Sequence, residues 1–208
     1  AMVKDTVLYI VRHGESMGNL ARRLQGQTDF PLSPLGEEQA ALAAQRLAGE
    51  PLSAVYASPL KRAHRTAQII AACHGLPVRT DARLMEIRLG EMEDKEIDWL
   101  HETYLENMAF FENEPEKYLP PAGGESFPEV VARVSPAIDE IAACHPGQAV
   151  VIVSHGCAIR SLILHCKGWQ IDRFKELPKG KNTAVTKVLY NSQDGYRVEY
   201  MSDSSHLG

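Results

Sequence analysis

The chain has 208 residues, enough for one sizeable core and short for two independent ones. With 44% hydrophobic and 24% charged residues, 15 Gly and 12 Pro, its composition is that of an ordinary globular protein, which excludes disordered, collagen-like and repeat-biased classes. The formal net charge of −5 gives no reason to expect nucleic acid or another anionic ligand.

Ala1, preceding Met2, reads as an appended residue and carries no argument. Thr6–Val11 is a continuous apolar, β-rich run without helical spacing, the pattern of a strand buried on both faces of a parallel sheet. It is too short for a signal-peptide core or a membrane span, so the chain is expected to stay where it is made, in the cytoplasm, with no membrane partner. A helix is predicted over 37–48, after Ser33-Pro34, and a short strand over Ala54–Ala57 that breaks at Ser58-Pro59. A second helix is predicted over 61–73 and a third over 128–144, after Ser126. Ala149–Val153 repeats the pattern of the first strand and breaks at Ser154-His155-Gly156. The runs 185–190 and 196–201 read as a late hairpin or edge pair. Strands alternating with helices imply an α/β fold with a mostly parallel sheet. Cys73, Cys144, Cys157 and Cys166 form no CxxC pair, and reduced thiols are expected.

The segment 86–129 breaks this rhythm. It holds 13 acidic residues against Arg88, Lys95 and Lys117, a net −10, which leaves +5 for the remainder of the chain. It also contains Trp99, Tyr104, Phe110, Phe111 and Tyr118, and it closes on Pro120-Pro121-Ala122-Gly123-Gly124. A helical cap inserted over the sheet at about 91–122 is predicted, within a single domain spanning 1–208. Its aromatic side chains are expected to bury the cap against the core or to wall an apolar part of a pocket.

In parallel α/β sheets, ligands bind beyond the carboxyl ends of the strands. The residues there are Arg12 and His13 after the first strand, Ser58 with Arg62 one helical turn later, and His155 after the last long apolar strand. A guanidinium presents a planar, permanently cationic fork suited to phosphate oxygens. A neutral imidazole can attack phosphorus, and a second can donate a hydrogen bond to a phosphoryl oxygen. Together they describe phosphoryl transfer through a phosphohistidine. The +5 remainder, which includes these arginines, reconciles an anionic ligand with an acidic chain.

Arg12-His13-Gly14-Glu15-Ser16 with Asn19, then Leu24-Gln25-Gly26-Gln27-Thr28-Asp29-Phe30-Pro31-Leu32-Ser33, resembles the signature of the histidine phosphatase superfamily, whose members include cofactor-dependent phosphoglycerate mutases. Further blocks agree in order: Ser58-Pro59-Leu60-Lys61-Arg62-Ala63, Leu84-Met85-Glu86-Ile87-Arg88, Gly123-Gly124-Glu125-Ser126, and Val153-Ser154-His155-Gly156. The resemblance implies a three-layer sandwich with helices on both faces of the sheet. It implies that His13 is the nucleophile, that Arg12, Arg62 and His155 hold the phosphoryl oxygens, and that Glu86 protonates the leaving oxygen and then activates water. Asn19 matches a position lining the phosphate pocket, Gln25 and Gly26 of the signature are expected to bind substrate, and Asn182 matches a position near the substrate.

Arg22 and Arg23 are candidates for a second anionic subsite. No metal or other cofactor is expected, because two arginines and His155 supply the charge a divalent cation would otherwise bring. The layout is similar to the small phosphatase branch that holds PhoE-like broad-specificity phosphatases and alpha-ribazole phosphatase. The mutases carry a longer segment with a Glu-Arg-His-Tyr-Gly block, whereas Trp99–Glu106 here has no such block and an acidic bias. Hydrolysis of a small phosphorylated metabolite is therefore the expected activity. Mutase-type transfer and phospholigand binding without turnover are the alternatives, as is a thiol hydrolase using Cys157. Dimers are common in the family, so a homodimer is an expectation of the resemblance alone.

Overall fold

A computed structural model describes residues 2–208; Ala1 lies outside the described residues. The chain runs β1 (Thr6–Arg12), α1 (Met17–Leu20), β2 (Arg23–Leu24), α2 (Pro34–Leu47), β3 (Leu52–Ala57), α3 (Lys61–Ala72) and β4 (Val78–Thr80). It continues through β5 (Lys95–Glu96), α4 (Ile97–Thr103), α5 (Leu105–Asn113), α6 (Phe127–Cys144), β6 (Ala149–Ser154), α7 (Gly156–Lys167), β7 (Val185–Asn191) and β8 (Gly195–Asp203). The main sheet has six strands in the order β4-β3-β6-β1-β7-β8. β4, β3, β6 and β1 are mutually parallel, and the β7–β8 hairpin completes the sheet, with β7 antiparallel to β1 and β8 antiparallel to β7. The fold is thus α/β with a mostly parallel sheet, as the sequence pattern implies.

Alternation along the central strands explains why they read as unbroken apolar runs. Leu8 and Ile10 of β1 and Val150 and Ile152 of β6 pack with Val130, Ile138, Leu162 and Ile163 of α6 and α7. Tyr9, Val11, Val151 and Val153 face the opposite way, onto Ala43, Leu47, Ala67 and Ile70 of α2 and α3. Both faces are buried, so neither set of positions is free to be polar.

Helix starts are set by serine caps. The Ser33 hydroxyl accepts from the Gly36 N–H at 3.1 Å with Pro34 in the first turn, so α2 begins three residues before the predicted start at 37. Ser126 caps α6 in the same way through the Glu129 N–H at 3.2 Å. No span was predicted for α7, where Ala158, Ile159, Leu162, Ile163, Leu164 and Cys166 are all buried and no residue is fully exposed, so no solvent-facing stripe marks its extent.

Residues 91–122 form β5, α4, α5 and short 3₁₀ turns. Leu100, Met108 and Tyr118 are buried, and the Phe111 ring lies 5.1 Å from that of Tyr118 and 5.2 Å from that of Phe127. Phe127 in turn contacts Phe174 at 5.0 Å, so an aromatic cluster fastens this segment to α6. Trp99 is 44% exposed, with its ring edge-on to Tyr104. Among the described residues, no helix is long and apolar enough to cross a membrane.

The loop leaving β1 crosses the start of α2 backbone to backbone. A Cβ on Gly36 would lie 2.0 Å from the Glu15 carbonyl oxygen, and one on Gly14 would lie 2.5 Å from the Gly36 carbonyl oxygen. Only glycine permits this approach, which fixes where His13 sits relative to α2. Gly36→Ala is expected to destabilise the protein by about 1–3 kcal/mol, read as a lower midpoint in urea unfolding.

Candidate active site

Three parallel strands deliver their next residues to one level at the carboxyl edge of the sheet. The His13 N–H donates to the Ser154 carbonyl at 3.1 Å and the Ser58 N–H to the Val153 carbonyl at 3.0 Å, extending the ladder one residue past the strands. Arg12 itself is the last residue of β1, paired with Ser154. Beyond this edge lies a cavity of 270 Å³ whose lining includes Arg12, His13, Arg62, Glu86, Gly156 and Cys157.

His13 is 2% exposed, and its Nδ1 lies 2.6 Å from the Gly14 carbonyl oxygen. A carbonyl only accepts, so Nδ1 carries the ring proton and Nε2 holds a free lone pair. Burial, reinforced by Arg62 and Arg12, holds the His13 pKa well below 6.5, which keeps that lone pair available at neutral pH. The His155 ring lies 5.1 Å away and is fully buried. Its Nε2 lies 2.8 Å from the Ser58 hydroxyl, which also accepts from the Leu60 N–H at 3.2 Å. This network assigns the hydroxyl hydrogen to Nε2 and the ring proton to Nδ1, a buried donor with no partner. Burial, then Arg62, His13 and Arg12, also depress His155 well below 6.5.

The arginines are held by carbonyl oxygens. Arg12 Nη1 donates to Gly180 at 2.6 Å; Arg62, 1% exposed, donates Nη1 to Thr28 at 2.8 Å and Nη2 to Gly26 at 2.6 Å. Both Nε atoms are buried without a partner. Among the described residues, neither guanidinium has a carboxylate within 4.0 Å. Burial lowers both pKa values, that of Arg62 to about 10. Buried cations whose carboxylates, Glu86 for both and Asp29 and Glu93 for Arg62, act only from a distance are costly, by several kcal/mol on a rough scale, and an incoming anion lowers that cost.

Glu86 sits against the start of α7. Its carboxylate accepts from the Cys157 and Ala158 N–H groups at 3.1 Å each and from the Ile87 N–H at 2.9 Å. Asn19 lines the cavity, and its Oδ1 accepts from the Ser16 N–H at 3.0 Å. Gln25 and Gly26 line it too; Gln25 is buried and accepts from the Ser16 hydroxyl. Asn182 stands behind His13, donating to its carbonyl at 3.1 Å, and is not part of the lining.

Arg22 is not brought into the cavity. It occupies a left-handed conformation with φ of 54°, and its side chain, 71% exposed, pairs with Asp98 at 3.1 Å. Arg23 reaches the cavity rim while paired with Asp94 at 3.3 Å. Burial, aided by Glu86, pushes the Cys157 thiol up, the opposite of what a thiolate nucleophile requires.

The sequence reading missed three contributors. Glu93, inside the acidic segment, accepts from the Gln27 N–H at 2.9 Å and the Thr28 hydroxyl at 3.1 Å, holding the loop whose carbonyls receive Arg62. A Cβ on Gly26, at φ of +54°, would lie 2.5 Å from the same carboxylate, so glycine is required there. Arg160 is buried, donates to the Phe174 carbonyl at 3.1 Å and lines the cavity together with Lys179. Its spacing of three and four residues from Cys157 and Gly156 places it on the same face of α7, a signal available in the sequence.

The comparisons with known proteins agree with this geometry. Residues 8–204 match the family described as the histidine phosphatase superfamily (branch 1), and the chain belongs to that superfamily. A probable phosphoglycerate mutase GpmB of Yersinia pestis (strain Pestoides F) is 35% identical over 207 residues, 96% of this chain and 94% of that protein. Among solved structures, Bacillus stearothermophilus YhfR superposes with a TM-score of 0.91 at 33% identity, covering 98% of this chain and 100% of that one. A mycobacterial glucosyl-3-phosphoglycerate phosphatase complexed with VO3 gives a TM-score of 0.87 at 30% identity over 95% and 99% of the two chains.

Depressed histidines make stability depend on pH. Folded His13 and His155 stay unprotonated where the unfolded chain, with histidines near 6.5, takes up protons, so stability is greatest above that value and falls as pH drops through it. The melting temperature is expected to fall between pH 7 and about 5.5 in scanning calorimetry, less steeply in His13→Asn. Equal slopes in the two proteins would remove His13 from the effect.

Proposed function

We propose that this protein hydrolyses small phosphomonoesters through a covalent phosphohistidine at His13. The observation that carries the reading is a buried, neutral imidazole with its Nδ1 proton tied to the Gly14 carbonyl, beside two buried guanidiniums that have no carboxylate partner. His13 Nε2 attacks phosphorus, and the ester oxygen leaves with the bonding pair. Arg12, Arg62 and the Nδ1–H of His155 take the charge on the phosphoryl oxygens. Glu86 gives the leaving oxygen a proton, then takes one from the water that attacks the phosphohistidine and releases inorganic phosphate. Asn19, Gln25 and Gly26 shape the phosphate end of the cavity, and Asn182 steadies His13 from behind. We place the enzyme in the cytoplasm as a single domain, its 91–122 segment acting as the cap; all four cysteines being free accords with that compartment.

Phosphoryl transfer to a second hydroxyl of a retained substrate is the alternative, favoured by the mutase name of the Yersinia relative. Water is the better-supported acceptor, because segment 91–122 supplies Ile97, Phe111 and Glu112 to the cavity lining and no basic side chain. The decisive experiment follows the phosphoryl group from a panel of phosphomonoesters: release as inorganic phosphate supports hydrolysis, and appearance on a second hydroxyl supports the mutase reading.

Acid-labile ³²P labelling is expected on His13 and absent in His13→Ala, which is inactive. Glu86→Gln is expected to slow esters of poor leaving groups by about 10²–10⁴-fold; an unchanged rate would remove Glu86 from the mechanism. Activity is expected to survive excess chelator, and a loss restored by added metal would count against charge stabilisation by the arginines alone.

A further inference from the structure

Residues 83–86 belong to no sheet ladder after the 3₁₀ turn at 82–84, yet side chains hold all four of their carbonyl oxygens. The Ser154 hydroxyl donates to Leu84 at 2.7 Å. Arg133 holds the other three: Nη1 donates to Arg83 at 2.8 Å and Met85 at 2.7 Å, and Nη2 to Glu86 at 2.9 Å. Gln27 Nε2 adds a second donor to the Glu86 carbonyl at 3.1 Å.

Arg133 is itself oriented. Its Nε donates to both oxygens of Glu125, at 3.0 and 3.3 Å. Glu125 is 2% exposed and is also paired with Arg88 at 3.1 Å, while its backbone N–H donates to the Arg88 carbonyl at 2.8 Å. The planar guanidinium thus faces a buried carboxylate on one edge and a row of carbonyls on the other. An ammonium, a single point of charge, cannot span both.

The carbonyl row ends at the residue whose carboxylate enters the cavity. Glu86 is fixed at its carboxylate by the N–H groups of α7 and at its backbone by Arg133, so α6 and α7 together set where its oxygens lie. We propose that Arg133, anchored on the buried Glu125, is a positioning residue that holds Glu86 in register with the leaving oxygen. The proposal rests on the phosphohistidine reading above and assigns to Arg133 no contact with substrate.

Leaving groups test this. An alkyl phosphate needs a proton on its departing oxygen, whereas an ester of a strongly acidic phenol departs without one, so misplacing Glu86 slows only the first. In single-turnover experiments, Arg133→Lys is expected to slow alcohol release from an alkyl phosphate by about 10²-fold while leaving phenol release within about threefold and KM unchanged. Glu125→Gln keeps the volume and one accepting oxygen, and is expected to give the same pattern with a smaller loss; it carries the test alone where Arg133→Lys does not fold. Equal losses for both esters, or no loss for either, would overturn the proposal. Wild-type labelling separates the two readings: no ³²P on His13 defeats the phosphohistidine, while a label with no leaving-group dependence in the variants defeats only the role of Arg133.

Discussion

Arg12 and Arg62 are buried cations held by the carbonyl oxygens of Gly180, Gly26 and Thr28. Most of the site follows from that choice. Carbonyl dipoles orient a guanidinium without cancelling its charge, so each arginine keeps a field available for an anion. Burial, reinforced by the same field, holds His13 and His155 neutral, which leaves one imidazole with a free lone pair and the other with a free donor. A carboxylate in place of the carbonyls would have spent that field inside the protein.

The chain charge of −5 is an average over two unlike regions. Within the acidic segment the individual charges differ in role. Glu114 pairs with Lys117 at the surface, and Asp98 pairs with Arg22. Glu93 and Glu125 face inward, and each organises a loop that meets the cavity. A regional excess of negative charge therefore coexists with a cationic pocket, because Glu86, Glu93 and Glu125 bind backbone N–H groups, a hydroxyl or peripheral arginines, and Glu112 lies against His101.

The parts of the site that were legible in the sequence are those local chain geometry dictates. His13 and His155 directly follow apolar strands, and Arg62 opens the helix that follows a third, so strand-end logic brings them together. Boundaries governed by caps were less legible: Ser33 starts α2 at Pro34, ahead of the residues whose composition announces a helix. α7 has no fully exposed residue along its length, so no solvent-facing stripe marks it out. Arg22 and Arg23 are adjacent in the chain and indistinguishable by type, and only the left-handed backbone at Arg22 separates surface from rim. Glu93 and Arg133 were illegible for another reason. They act on peptide groups distant in the chain, and a carbonyl oxygen has no residue type to betray it.

The carbonyl cradle around Arg62 also bears on how a ligand enters and leaves. Among the described residues, no salt bridge of Arg12 or Arg62 has to open before a phosphate group binds, so the charge pattern that meets it is already set by folding. The reverse follows with equal force. Inorganic phosphate presents the same oxygens as the ester it came from, and it meets the same guanidiniums, with the Glu86 carboxyl group in the same cavity. Release therefore returns two buried guanidiniums to their carbonyl cradles, the same desolvated state that the ester meets on entry.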